Sequence, residues 1–218
     1  MSTQLDWSGV LGQGLAEVQL APLPVWRELS AGRSRVVGSY ASEQRVYLEI
    51  AGCREVPLLA GQARILERLI SGQSAKVIAI ESRRSLSSVT AHAQRALARL
   101  GLACQMRDMP CSLVGLVLCA LGAARPGHID LRISAADERT LVVSLARLEH
   151  KLERLLSPCE CQVLRGVVDG LSHLQIAAKR GAARRTVANQ VASSYKKLSV
   201  TCRIELLRYL MLNGTPLP

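Results

Sequence analysis

The stretch that decides the fold runs from Leu156 to Leu210: LSPCECQVLRGVVDGLSHLQIAAKRGAARRTVANQVASSYKKLSVTCRIELLRYL. Ser157 stands before Pro158, and Glu160 follows two residues later. That is an N-cap, a proline at the first helical position and the carboxylate that closes a capping box. Val163, Leu164, Val167 and Val168 then share one helical face, and Gly170 stops the helix. Ser172 with Gln175 caps a second, short helix that turns Ile176 and Ala177 inward and ends near Gly181. A third helix spans about Arg184 to Leu198, with Val187, Val191, Tyr195 and Leu198 on its buried face, and a fourth about Arg203 to Leu212. Two helices joined by a tight turn, the second longer and basic, make a helix-turn-helix.

The same pattern occurs earlier in the chain. A shift of 98 residues pairs Leu58 with Leu156, Leu66 with Leu164, Gly72 with Gly170 and Ser74 with Ser172. It also pairs Ile78-Ala79 with Ile176-Ala177, Val89 with Val187 and Leu100 with Leu198, without a gap. The identities fall at core, turn and cap positions, as a duplicated supersecondary unit requires. The first copy then has helices around Ile65 to Ile70, Ser74 to Ala79 and Val89 to Leu100. Its fourth, near Ser112 to Leu121, is displaced by a few residues and is apolar nearly all round. A helix exposed on one side would not tolerate that, so it is expected to pack against Ile204, Leu206, Leu207, Leu210 and Met211 of its counterpart.

The segment Leu156 to Leu210 resembles the LuxR-type (FixJ/NarL-like) DNA-binding domain. The resemblance rests on Leu156-Ser157-Pro158, Glu160, Val163-Leu164, Gly170, Ser172, Ile176-Ala177, Thr186-Val187, Lys197-Leu198, Val200, Arg203 and Glu205-Leu206. Leu58 to Leu102 is similar to it more loosely, through Gln62, Ile65-Leu66, Gly72, Ser74, Lys76, Ile78-Ala79, Ser88-Val89, His92 and Leu100-Gly101-Leu102. The second copy departs at Cys159, where Arg or Gln is usual, at Gln190, where His is usual, and at Ser199, where Gly is usual. Ser199 would strain a left-handed turn. The resemblance implies a bacterial transcription regulator of the cytoplasm and nucleoid that binds double-stranded DNA. Modules of this type pair through their fourth helices, here within one chain as a pseudo-dimer or between chains as a homodimer. RNA polymerase or another regulator is the protein partner the rival reading implies, with one or both recognition helices reassigned to it.

Outside the two helical blocks, Val36 to Ile50 reads as a β-hairpin turning around Ser42. Ile129 to Ser144 has a similar shape, with its turn around Ala136, although Leu141, Leu145, Leu148, Leu152 and Leu155 have heptad spacing. A hairpin followed by a short linker helix is the reading taken. Trp7, Val10, Leu11, Leu15 and Val18 suggest an amphipathic helix that Pro22 and Pro24 would break. The expected fold is mainly α with small β-hairpins, carrying two tandem LuxR-like helix-turn-helix four-helix modules. Its organisation is an N-terminal segment (1–30), a hairpin plus degenerate module (31–125, core 58–122), a hairpin and linker helix (126–155), and the LuxR-type module (156–213).

Charge and composition narrow the function. The net charge is +11, with +6 in residues 50–126 and +7 in 151–218, and each flanking piece is near neutral. Two basic surfaces suit a polyanion. Aromatics are only 3% and Phe is absent, which argues against stacking platforms for single strands. The longest uncharged apolar run, Cys111 to Ala124, is too short to span a membrane. The seven Cys form no CxxC pair and read as reduced thiols. Gly12-Gln13-Gly14 lacks the lysine of a phosphate loop, His92 has no partner at ligand spacing, and nothing resembles a nucleophile and its base. No metal, cofactor or enzymatic activity is expected. A redox role for Cys159, at a helix start, is the minor alternative.

A recognition helix reads bases with the face opposite its core stripe. In the second copy that face holds Arg185, Ala188, Asn189, Ala192 and Lys196, with Asn189 suited to an adenine edge and the alanines to thymine methyls. Lys179, Arg180, Arg184, Lys196 and Lys197 are expected on phosphates. In the first copy the outward set is Thr90, Ala91 and Gln94, with Arg83, Arg84, Arg95 and Arg99 for phosphates.

Overall fold

The computed structural model describes residues 20–53, 57–124, 129–137, 139–148, 152 and 156–212. The first described helix, α1 (Pro22–Ser30), begins where a break was expected: both prolines lie in its first turn. The first-turn N–H groups have no intrahelical acceptor, so proline costs nothing there. Val25, Trp26 and Leu29 of α1 are buried against the rest of the chain. The amphipathic helix expected over Trp7 to Val18 lies outside the described residues.

Both hairpins form. β1 (Ser34–Ala41) and β2 (Arg45–Gly52) pair around Ser42, and β3 (Leu131–Ala135) pairs with β4 (Thr140–Ala146). Leu141 and Leu145, two members of the heptad, are strand residues of β4. Most of the expected linker helix lies outside the described residues. β2 and β4 pair antiparallel, giving one four-stranded sheet in the order β1-β2-β4-β3. Apolar rows cross it, Val36–Ile50–Leu141–Ala135, Leu48–Val143–Ile133 and Val46–Leu145–Leu131. The sheet's inner face, with Leu48, Ile50, Leu141, Val143 and Leu145 fully buried, rests on a helix.

That helix is α5 (Cys111–Ala120), the one predicted to be apolar on all sides. It is covered by the sheet on one side and by α1 and α9 (Arg203–Leu212) on others. Leu113, Val114, Leu116, Val117 and Leu118 are all fully buried. Leu206, Leu207, Leu210 and Met211 of α9 are buried too, while Ile204 is only partly so.

The remaining helices flank this centre. α2 (Ala60–Ile70), α3 (Ala75–Glu81) and α4 (Leu86–Arg99) lead through a short 3-10 turn (Met106–Asp108) into α5. α6 (Pro158–Val168), α7 (His173–Arg180) and α8 (Arg184–Leu198) lead into α9, and each of these three starts 98 residues after its counterpart. At the end of α4, Gly101 has φ +87°, and an added Cβ would stand 2.3 Å from the Val36 carbonyl oxygen of β1. Only glycine fits there. At the end of α8 the corresponding Ser199 takes φ +54°, the strain expected from the sequence.

Arg203, the first residue of α9, joins the two flanks. Its guanidinium donates to the carbonyls of Val167 (2.7 Å) and Val168 (2.7 Å) at the end of α6, and to those of Arg107 (3.2 Å) and Met109 (2.6 Å) before α5. Replacing Arg203 by Ala leaves buried carbonyls without donors. Urea unfolding followed by circular dichroism should show a loss of about 3–5 kcal/mol, with Lys recovering only part of it because it cannot fork. A loss under about 1 kcal/mol, the usual range of a surface substitution, would show that this joint is dispensable.

Candidate nucleic-acid interface

The C-terminal unit is built as its caps predict. Ser157 Oγ accepts from the Glu160 N–H, and Glu160 accepts in turn from the Ser157 N–H at 3.1 Å. Ser172 and Gln175 form the same box at the start of α7. α7 ends at Gly181 in the left-handed conformation, and the chain turns into α8. Val187, Val191 and Leu198 fix α8 on α6 and α7 from one side.

The opposite side of α8 is open. Arg184, Arg185, Asn189, Ala192 and Lys196 are exposed, as is Lys179 on α7, while Ala188 is half-buried. Among the described residues none of the four cations Lys179, Arg184, Arg185 and Lys196 has an ion-pair partner, and the Asn189 amide makes no hydrogen bond. Beside Asn189, an open cleft of about 410 Å³ separates α8 from the start of α6, with Gln190 and Ser193 on one wall and Ser157 and Cys159 on the other.

Two of the expected phosphate contacts are engaged inside the unit. Lys197 Nζ donates to both Glu160 oxygens, at 2.7 and 2.9 Å. Arg180 donates to Gln190 Oε1 at 2.8 Å and to Cys159 Sγ at 2.9 Å, and Gln190 donates to the same sulfur at 3.1 Å. The Arg180 bond holds the Cys159 thiol below its ordinary pKa, with help from Gln190.

In the N-terminal unit the expected set divides further. Thr90, Arg83, Arg84 and Arg95 are exposed and Ala91 is half-buried. Gln94 points back, donating to the Cys104 carbonyl at 2.5 Å. Arg99 donates to the Pro57 carbonyl (2.9 Å) and to Gln62 Oε1 (3.0 Å). This is the Lys197–Glu160 contact again, at positions 98 residues earlier, and it fixes the end of the third helix to the start of the first in both units. Arg84 lies 2.5 Å from His92 Nε2, and burial, with Arg84 and Arg95, lowers the His92 pKa. Among the described residues no group of His, Cys, Asp and Glu could hold a metal ion.

The clamps escaped the sequence reading because long basic side chains at helix ends look alike whether they face solvent or a neighbour. The repeat itself held the clue, since Gln62 and Glu160 keep one spacing to Arg99 and Lys197.

Residues 154–210 match the family of bacterial regulatory proteins, luxR family. No curated protein and no solved structure matches the chain. The C-terminal segment is a LuxR-type domain, a regulatory DNA-binding module rather than an enzyme class, and it marks the chain as a helix-turn-helix transcription regulator. Among the described residues no helix is long and apolar enough to cross a membrane.

Glu160 gives the unit an acid limit. Its pKa is lowered from 4.5 to about 2, chiefly by Lys197 and then by the Ser157 N–H and hydroxyl. A carboxyl with a lowered folded-state pKa contributes stability that is present above its unfolded value and lost as pH falls. The melting temperature should therefore drop between about pH 4.5 and pH 2, and Glu160→Gln should flatten that part of the profile. An unchanged profile in the variant would remove Glu160 from the account.

Proposed function

We propose that the protein regulates transcription by laying α8 in the major groove of duplex DNA, with Asn189 reading a base edge and Lys179, Arg184, Arg185 and Lys196 holding phosphates. The observation that carries this reading is the free face of α8: four unpaired cations and an unbonded amide on a helix whose other face is fixed in the core. An asparagine amide offers the donor and acceptor that adenine presents in the major groove. Ala192 is placed for a thymine methyl, with the half-buried Ala188 less accessible. Arg180 and Lys197 position the helix from inside the unit.

Residues 58–122 are, in this reading, a second copy of the same module, paired with the first inside one chain. Support comes from the equal offset of three helices, the repeated clamp and the packing of α9 on α5. The antiparallel meeting of β2 and β4, equivalent strands of the two hairpins, has the same symmetry. The N-terminal copy contributes Arg95 to the basic surface but little direct readout, because Gln94 and Arg99 are turned inward. Leu116 is fully buried within the chain, which favours pairing inside it over a homodimer built on α5.

Binding to a duplex selected from random sequence should weaken about a thousandfold between 50 and 200 mM salt if about six phosphates are held. Fluorescence anisotropy across that range checks it, and salt-independent binding would refute the phosphate contacts. Asn189→Ala should cost about 1–3 kcal/mol on the selected site and relax one base position. Lys196→Ala should weaken selected and random duplexes alike. Equal losses on both duplexes for Asn189→Ala would take away its role as a reader.

A further inference from the structure

The two helix-turn-helix corners differ most where they face outward. In the N-terminal unit Val77 and Ile80 stand one turn apart on α3, 42% and 77% exposed, and Leu86, 46% exposed, opens α4 across the turn. The residues 98 positions later are Gln175, Ala178 and Arg184. Only one large apolar side chain in described residues 156–212, Leu174, is comparably exposed. Where the C-terminal corner starts its reading helix with a guanidinium, the N-terminal corner starts it with a leucine.

Burying such side chains against phosphates would desolvate the phosphates and return no hydrogen bond. Against a protein, the same burial is favourable. The rim decides the charge of that protein. Lys76, Arg83 and Arg84 are exposed on the same short stretch as the apolar side chains, and Glu81, at the end of α3, is ion-paired with Arg68. The surface is an apolar knob within a cationic rim.

We infer that the α3–α4 corner of the N-terminal unit is a docking surface for a protein segment that carries apolar side chains flanked by carboxylates, an acidic amphipathic helix. Complementary charge would steer and orient that helix while its apolar face covers Val77, Ile80 and Leu86. The chain then joins two partners: duplex DNA at α8 and an acidic protein segment at the corner of α3 and α4. The inference uses the tandem reading only to align equivalent positions and does not require Asn189 to be a base reader.

The test uses the full chain and a synthetic amphipathic helix with leucines on one face and glutamates on both flanks. Controls are the same helix with lysines in place of the glutamates, and the selected duplex. The glutamate helix should bind and shift the methyl resonances of Val77, Ile80 and Leu86, and the lysine helix should bind at least tenfold more weakly. Ile80→Glu should reduce binding of the glutamate helix at least tenfold and leave duplex affinity within twofold. Leu86→Gln serves as the second variant, and a thermal melt checks that each is folded.

The proposal is overturned if the glutamate helix does not bind, if both helices bind alike, or if neither folded variant changes its binding. A tenfold loss of duplex affinity in Ile80→Glu would assign the corner to DNA instead. Sedimentation showing a dimer of the wild-type chain that Ile80→Glu dissolves would assign it to a second copy. Failure of duplex binding with peptide binding intact would overturn the DNA reading and leave this one standing.

Discussion

A single buried guanidinium sets the relation between the two halves of the molecule. Arg203 is about nine-tenths buried, faces no carboxylate within hydrogen-bond distance among the described residues, and has its pKa lowered by that burial. What makes the burial tolerable is four carbonyl oxygens at 2.6 to 3.2 Å, two from the end of α6 and two from the segment before α5. The carbonyls at a helix C-terminus have no intrahelical donor and carry partial negative charge, so they suit a cation. Because those carbonyls come from both halves, neither can shift without stranding polar groups. The apolar contact of α9 with α5 supplies area, and Arg203 supplies the register.

Around that joint each flank of three helices is closed by a contact of its own. The third residue of the first helix accepts from the last basic residue of the third, Gln62 from Arg99 and Glu160 from Lys197. In one version the cation donates to a neutral amide and in the other to a carboxylate, yet the positions are the same. The clamp uses side chains that would otherwise extend into solvent, and the cations left free are correspondingly fewer than a count of Lys and Arg suggests. Among the described residues, Lys179 on α7 and Arg184, Arg185 and Lys196 on α8 keep no ion-pair partner.

Much of this architecture could be read from the sequence. Ser157-Pro158 with Glu160, and Ser172 with Gln175, marked two helix starts, and both boxes form. Val187, Val191 and Leu198 predicted the buried side of α8, and the all-apolar run of α5 predicted a helix enclosed on every side. These signals are local: a cap, a period, a composition. The pairing of β2 with β4 was not legible, because residues about 95 apart meet there and each strand alone shows only its alternation. Pro22 and Pro24 open a helix because the first-turn N–H groups need no intrahelical acceptor. Gln94, Arg99, Arg180 and Lys197 have the helical spacing of outward contacts, yet each bonds within the chain. Helical spacing gives the direction of a side chain from its own axis, but not what a neighbouring turn offers it.

The sheet that joins β2 to β4 has a genetic consequence. In an assembly of two identical chains every substitution appears twice, so a change that helps one half and harms the other is lost. With both halves on one polypeptide, each codon is expressed at a single place. Leu86 and Arg184 can then be selected independently although they occupy equivalent positions, and the halves can drift toward different work while the shared strands keep them in one frame. In the tandem reading proposed above, the asymmetry of the two corners is the kind of divergence that covalent fusion permits and a symmetric dimer forbids.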